Sequence, residues 1–548
     1  MVNVESIDSK KLRGGYYTPQ PIADFICKWA IQSETKSVLE PSCGDGNFVE
    51  SIVNTFKSLN VKNSEINKRI KAIELVSEEA NKAKARVREL GISECIIENS
   101  DFFHFLLDHK NEAYDVVVGN PPFIRYQNFP EEHRNLAFDM MFKMGLSPNK
   151  LMNIWASFLV VSASLLKEKG KLGMVIPAEL FQVKYAAETR VFLSKFFSNI
   201  TIITFKKLVF EDIQQEVVLL LCDKDPKIKQ GIKVIEVEDI NELIKIDWDV
   251  INKTVVKSLD HSSEKWTKYF LDEKEIQLLR KIKVDTRVEP ASSVMEVRVG
   301  IVTGRNEFFM LNKEQISQWK LENSTKKVVG RSVHLKGVIY DDSDFNENVD
   351  NGYPVNMFLP EELEKEKLPL EVRDYIDYGE KNDFHTGYKC KIRKLWYITP
   401  SLWKPDAFAL RQVGDYPKLI VNNTDASCTD TLHRIRMKKE GMADIIALSF
   451  LNSLTFAFTE IMGRSYGGGV LTFEPSELEE LPLPILNSIE GIDIKKVDEL
   501  IRMRKIEEVL NIIDHELLIV QLKLSQVEVN ALRNIWRKLS NRRNNRKK

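Results

Sequence analysis

The chain has 548 residues, 43% of them hydrophobic and 29% charged, which is too long for one core and calls for two or three domains. A formal net charge of −1 excludes nucleic-acid binding by bulk charge, so such a partner would need local basic patches. Six well-separated cysteines (Cys27, Cys43, Cys95, Cys222, Cys390, Cys428) with no Cys-x-x-Cys pair argue against a zinc site or a disulfide framework. A polar N-terminus without a signal peptide, and no apolar run of bilayer length, make a cytoplasmic protein with no membrane partner the expectation.

Taken in order, residues 14–21 read Gly-Gly-Tyr-Tyr-Thr-Pro-Gln-Pro. Thr18 is expected as an N-cap with Pro19 in the first turn, because Ile22, Phe25, Ile26, Trp29 and Ala30 follow at helical spacing. Such a helix start suits an anionic group and equally reads as an ordinary capped helix. Val38 and Leu39 form a short strand ending in Glu40. The tight loop Pro41-Ser42-Cys43-Gly44-Asp45-Gly46 then leads into a helix from Asn47, and its glycines permit close backbone approach to a ligand. It is neither a Walker loop nor a full Gly-x-Gly-x-x-Gly, so dinucleotide binding is disfavoured. Ile70–Val76 reads as the next strand, with Glu74 near its carboxyl end, where an acidic residue commonly binds ribose hydroxyls. Cys95–Ile97 precedes Asp101, which can accept a bond from an adenine amino group while Phe102 or Phe103 packs on the ring. Each acid alone also reads as a helix cap or a solvated turn.

The densest signal is Asp115-Val116-Val117-Val118-Gly119-Asn120-Pro121-Pro122-Phe123. The valine run is a buried strand, and the two prolines, with fixed φ and no N–H, hold a stiff loop at its end. An amide side chain, a backbone carbonyl and a flat ring together can grip a planar amino-bearing group; the other reading is a rigid turn after a core strand.

In this order, Gly14–Pro19, Glu40–Gly46, Glu74, Asp101 and Asn120–Phe123 resemble the S-adenosylmethionine-dependent N6-adenine DNA methyltransferases of the gamma group. The resemblance continues through Asn153–Lys167 (an amphipathic helix), Gly170–Pro177 (a strand) and Lys207–Leu221. It implies an α/β fold: a doubly wound, Rossmann-like methyltransferase sheet over residues 1–245, an α+β DNA target-recognition domain over 246–485, and a helical segment with a basic tail over 486–548. It implies S-adenosylmethionine bound by Tyr17, Thr18, Glu40, Cys43, Gly44, Gly46, Glu74, Asp101, Phe102 and Asn120. Catalysis falls to Asn120, Pro121 and Phe123, with Phe123 and Phe210 at the target base. Phe123 stands where the family more often has Tyr; stacking survives and a hydroxyl is lost. No metal is required.

The boundary near 245 is placed in the charged, lower-complexity stretch 225–260. Beyond it, Val299–Phe309, Tyr388–Tyr397, Tyr416–Thr424 and Gly463–Val470 match the family's recognition region. Lys389, Lys391, Arg393 and Lys394 neighbour Trp396 and Tyr397, and Arg464 and Tyr466 precede three glycines. Basic residues interleaved with aromatics suit phosphate and base contact, so Lys389, Arg393, Arg464 and Tyr466 are expected at DNA; a solvated basic turn is the alternative for each stretch. The last 16 residues hold eight Lys or Arg and no acid, which reads as added non-specific affinity or as a frayed terminus.

In the family, the Asn side-chain oxygen and the first Pro carbonyl, here Asn120 and Pro121, accept the two N–H bonds of the exocyclic amine. That favours a pyramidal nitrogen and stabilises the charge that develops on it. The expected partner is double-stranded DNA, on which the enzyme acts as a monomer, either as the modification enzyme beside a cognate restriction endonuclease or as a solitary methyltransferase. Competing readings are an RNA or protein-glutamine methyltransferase, an N4-cytosine DNA methyltransferase, a fused restriction–modification enzyme and a catalytically dead DNA-binding module.

Overall fold

The computed structural model describes residues 17–109, 112–209, 216–399, 402–466 and 469–545. They divide into two compact units, one running to Ile276 and the other comprising Gln277–Ser465 and Gly469–Asn544.

The first unit is built on an eight-stranded sheet. Its strands in chain order are β1 (Val38–Glu40), β2 (Ile70–Ile73), β3 (Ile97–Glu98), β4 (Tyr114–Gly119), β5 (Leu166–Pro177), β6 (Asn199–Phe205), β7 (Val217–Asp223) and β8 (Gly231–Val237). Their spatial order is β3-β2-β1-β4-β5-β7-β6-β8. Every pair is parallel except those made by β7, which runs antiparallel to β5 and β6. The central strands are runs of Val, Ile and Leu with almost no alternation, as a sheet covered on both faces requires; Val116, Val117 and Val118 are all fully buried. The chain leaves β1 toward β2 and β3, then returns to β4 on β1's other side. The crevice outside the carboxyl ends of β1 and β4 is therefore the topological switch point, where open α/β sheets bind ligands. This is the doubly wound sheet expected from the sequence.

One local expectation changes. The first helix among the described residues is Gln20–Ala30, and its N-cap is Pro19, not Thr18; no side chain caps it. Pro19 has ψ 134, outside the helical range, so the helix starts one residue late, with Pro21 in the first turn, where a missing N–H costs nothing. The charged stretch 225–260 supplies β8, which pairs in register with β6 from Asn199↔Gly231 to Phe205↔Val237. The segment after it bonds back, Lys257 N to Ile232 O at 2.9 Å. Those ties carry the first unit past residue 245 to Ile276.

The second unit is α+β. A five-stranded sheet orders Met295–Val299, Leu432–Met437, Ala407–Leu410, Leu419–Asn422 and Ile339–Tyr340 side by side. A four-stranded sheet joins Met310–Leu311, Asn356–Phe358, Thr325–Val329 and Ser427–Cys428. An aromatic cluster around Phe308, Phe309, Tyr375 and Tyr397 fills one core. The C-terminal helices are part of this unit, and the last, Gln526–Asn544, packs on Ser453–Met462. Its cations are largely spent inside the fold. Arg543 meets Glu460 at 2.7 Å with both buried, Arg533 meets Asp514 at 2.7 Å, and Arg537 meets Glu507 at 2.5 Å. Up to Asn544, the basic end of the chain is thus an ordered, ion-paired helix and not a frayed one. Among the described residues no single helix is long and apolar enough to cross a membrane.

Candidate active site

The loop after β1 is shaped by the ends of its neighbours. Cys43 N donates to Ile73 O at 2.8 Å, and Gly46 N to Cys43 O at 2.9 Å. Gly46, at φ +94, caps the helix Asn47–Ser58 in a left-handed conformation, and a Cβ there would lie 3.1 Å from Ala83 Cα; glycine is required on both counts. Asn47 Nδ2 reaches Thr18 O at 3.0 Å, tying the N-terminal segment to this loop.

Glu74 follows β2 and is only 9% exposed. One carboxylate oxygen accepts Gly44 N at 2.8 Å and the other accepts Val76 N at 2.7 Å. Burial raises its pKa, against the pull of those two amides. The carboxylate is thereby fixed in place, with lone pairs left for hydroxyl donors.

Asp101 is both a helix cap and a hub. It accepts Phe103 N and His104 N at 3.0 Å at the start of the helix Phe102–Asp108. His104 Nδ1 lies 3.2 Å from Oδ1, and His133 Nδ1 lies 2.9 Å from Oδ2. The other ring nitrogen of His104 meets Glu132 at 3.2 Å. Desolvation pulls the His104 imidazolium down, but its bonds to Asp101 and Glu132 outweigh this and leave it above its ordinary value. Asp101, His104 and His133 bring one ligand atom each within 4.8 Å of one another, a set that could hold a cation.

Asn120 leaves β4, and its backbone carbonyl accepts Ser42 Oγ at 3.2 Å. Tyr17, Gly44, Glu74, Asp101, Phe102 and Asn120, six of the residues singled out from the sequence, line one pocket. Thr18, Glu40, Cys43 and Pro121 are buried outside its lining. Phe123 is half-buried against the core of this unit. Phe210 lies outside the described residues. Sequence reasoning missed Phe129 and Phe158, which complete an aromatic wall: the Phe158 ring stacks on Phe102 at 5.3 Å. Phe158 sits in the uniformly apolar helix Trp155–Ser164, where nothing distinguishes a pocket ring from a core ring. Tyr17 Oη donates to Glu79 at 2.7 Å, so Glu79 also joins the rim.

Glu40 is the unusual group. It is fully buried, neither oxygen meets a side-chain donor, and burial followed by the nearby Glu74 raises it well above the ordinary carboxylate range against the pull of the Ser42 backbone amide. A buried carboxylate short of partners costs several kcal/mol, more than a typical net hydrogen bond of about 1 kcal/mol returns. The arrangement is suited to a ligand that brings a positive charge. The Oγ1 of Thr18 is buried and unpartnered.

In the second unit, Lys389 is exposed on the short helix Tyr388–Lys391. Arg393 is braced inward, donating to Val302 O at 2.8 Å and Trp396 O at 3.4 Å. Arg464 bonds Glu477 at 2.9 Å, and Tyr466 ends the strand Arg464–Tyr466. Trp396 and Tyr397, read from the sequence as neighbours of a base-contacting patch, pack inward: the partly buried Trp396 donates from Nε1 to Glu380 at 3.1 Å with its ring 4.8 Å from Phe308, while Tyr397 is buried. Their apolar area outweighs any exposed role.

Over 517 residues the chain is 24% identical to the type II methyltransferase M.AccI of Acinetobacter calcoaceticus, covering 91% of this chain and 90% of M.AccI. It is 25% identical over 404 residues to M.HindII of Haemophilus influenzae, covering 70% of each. Among solved structures, the type IIL restriction-modification enzyme MmeI in complex with DNA has the same fold, with a TM-score of 0.58 at 12% identity over 95% of this chain and 75% of that one. Residues 21–210 match the Eco57I restriction-modification methylase and residues 263–518 the C-terminal domain of the type II methyltransferase M.Eco57I, so the chain belongs to the M.Eco57I-type family of restriction-modification DNA methyltransferases.

Proposed function

We propose that the enzyme methylates N6 of an adenine flipped out of duplex DNA, as the modification partner of a restriction endonuclease. The observation that carries this reading is Asn120-Pro121-Pro122 at the carboxyl end of β4, on a pocket that also holds Glu74 and Asp101 from the neighbouring strand ends. S-adenosylmethionine, when bound, supplies an electrophilic methyl and a fixed positive charge. The residues fit that group: Glu74 for ribose hydroxyls and Asp101 with the Phe102 and Phe158 wall for an adenine ring, while the buried Glu40 carboxylate, just before the Pro41–Ser42 edge of the lining, supplies a negative field for the cationic end.

The chain's own work is positioning and electrostatics. The amide oxygen of Asn120 and the carbonyl of Pro121 accept the two N–H bonds of the target amine. This localises its lone pair and offsets the charge that grows during attack. An amide cannot act as a base near neutral pH, so the proton leaves to water after transfer. Rigid prolines hold both acceptors in register, which is where the rate gain of alignment arises. Flipping costs a few kcal/mol, and stacking on Phe123 returns about 1–3 kcal/mol.

The test is product identity. DNA incubated with the protein and methyl-labelled cofactor is digested to nucleosides and separated. Label in N6-methyladenine that disappears with Asn120→Ala supports the reading; label in N4-methylcytosine, RNA or protein glutamine overturns it.

A further inference from the structure

The segment from Gly387 to Trp396 has two sides of opposite character. Inward, Cys390 is fully buried, Arg393 is braced on two carbonyls, and Trp396 packs in the aromatic core. Outward, Tyr388 is 74% and Ile392 62% exposed. The two lie one helical turn apart, so their side chains share a face. A tyrosine and an isoleucine standing this far out on one face form an apolar tip.

The surroundings identify the partner. The turn Gly387–Lys391 is seated against the loop Gly300–Asn306. A Cβ on Gly304 would lie 2.8 Å from Lys389 Cβ, one on Gly387 would lie 3.2 Å from Arg305 Nε, and Arg393 reaches Val302 O. The two segments therefore present one surface, on which Arg305, Lys389, Lys391 and Lys394 are all exposed beside Tyr388 and Ile392. Neither 299–306 nor 384–396 contains an acidic residue. The flanking acids are Glu307 and Asp383, one beyond each segment. Lys389 Nζ hangs 5.8 Å from the Tyr388 ring, so the aromatic face is already beside a cation. An apolar tip ringed by four cations is complementary to a polyanion that can open an apolar slot, and stacked nucleic-acid bases provide one.

We propose that Tyr388 and Ile392 form a wedge that enters a base step of duplex DNA, while Arg305, Lys389, Lys391 and Lys394 hold the flanking phosphates. The proposal rests on the reading of the chain as a DNA methyltransferase and names a contact surface within its recognition region. The phosphate contacts fix position without reading sequence. The wedge deforms the duplex, and the cost of unstacking depends on the step entered.

The test uses the full chain and a labelled mixed-sequence duplex titrated at several salt concentrations. The double variant Tyr388→Ala/Ile392→Ser is expected to lose about tenfold in affinity, the size of one lost stacking contact, with the salt slope unchanged. Lys389→Ala/Lys391→Ala is expected to lower the slope by about two, one per phosphate released. Tyr388→Phe keeps the ring and the affinity. All four side chains are exposed, so melting temperature and S-adenosylmethionine affinity stay at wild-type values in every variant. Wild-type DNA affinity in Tyr388→Ala/Ile392→Ser overturns the wedge while leaving the enzyme reading intact. The same affinity accompanied by lost self-association in sedimentation also overturns it, and assigns the patch to a protein contact. A wild-type chain that binds no duplex at any salt overturns the DNA reading itself, and the wedge with it.

Discussion

A Cβ on Gly119 would lie 2.5 Å from Oε1 of Glu40. The last residue of β4 is thus bare so that the last side chain of β1 can lie against the start of the Asn-Pro-Pro loop. The two strands pair in parallel, Leu39 opposite Val117, so these residues meet where the sheet's order reverses. Gly119→Ala is expected to displace either the Glu40 carboxylate or the loop. Overpacking of this kind costs about 1–3 kcal/mol, and the loss should appear in turnover and cofactor affinity more than in secondary structure. Calorimetric titration with S-adenosylmethionine beside a melting curve checks it; wild-type affinity in Gly119→Ala would show that the contact is incidental.

Glu40 should make cofactor binding proton-linked. Burial raises its pKa well above the usual carboxylate value, so the ligand-free site favours the protonated acid. A cationic ligand favours the carboxylate. Binding at pH below the raised pKa therefore releases a proton, and affinity climbs with pH until that value is passed. Calorimetry in buffers of different ionisation enthalpy reads the proton directly. Glu40→Gln should abolish the release and flatten the pH profile. A profile unchanged by Glu40→Gln would assign the linkage elsewhere, with Glu74, also raised by burial, the next group to substitute.

Glu74 has two duties that substitution can separate. Its oxygens hold Gly44 N and Val76 N, and hydrogen bonds to a charged acceptor are worth about 1.5–3 kcal/mol each. Glu74→Ala removes both anchors and should weaken the cofactor by at least about tenfold. Glu74→Gln keeps one acceptor oxygen and should fall between. If ribose hydroxyls bind here, a 2′-deoxy analogue of the cofactor should lose affinity on wild type and lose nothing further on Glu74→Ala.

Much of this arrangement was legible in the sequence, for physical reasons that also explain the gaps. The strands β1 and β4 announce themselves because both faces are covered, which demands apolar runs, and because proline or glycine ends them abruptly. The residues at those ends converge on one pocket because the switch point of the sheet brings them there. Trp396 and Tyr397 misled because basic residues interleaved with aromatics look the same whether the rings face DNA or a core; only packing around Phe308 separates them. Tyr388, in the same stretch, is the exposed ring. The helix start moved from Thr18 to Pro19 because Thr-Pro-Gln-Pro offers two proline registers. The ion pairs of the basic helix up to Asn544 are not legible in its own sequence because its acids lie outside it: Glu460 and Asp514 meet Arg543 and Arg533 only after folding.

That last pairing supports a prediction about the C-terminal helix. Arg543 is 3% and Glu460 4% exposed. Arg543 donates to both Glu460 oxygens and also to Gly414 O at 2.9 Å. Removing one member of a buried pair strands the other charge and costs about 3–5 kcal/mol, whereas replacing both with apolar residues is often neutral or stabilising. Arg543→Met alone should therefore lower the melting temperature sharply, Glu460→Leu alone should do the same, and Arg543→Met/Glu460→Leu should recover much of the loss. The recovery falls short of complete to the extent that the glycine carbonyls lose their donor. The salt dependence of DNA binding should be untouched by the double variant, because a buried guanidinium releases no counterion from a phosphate. A salt slope lowered by about one in that variant would mean that Arg543 leaves Glu460 for DNA, and that the helix acts as a basic arm after all.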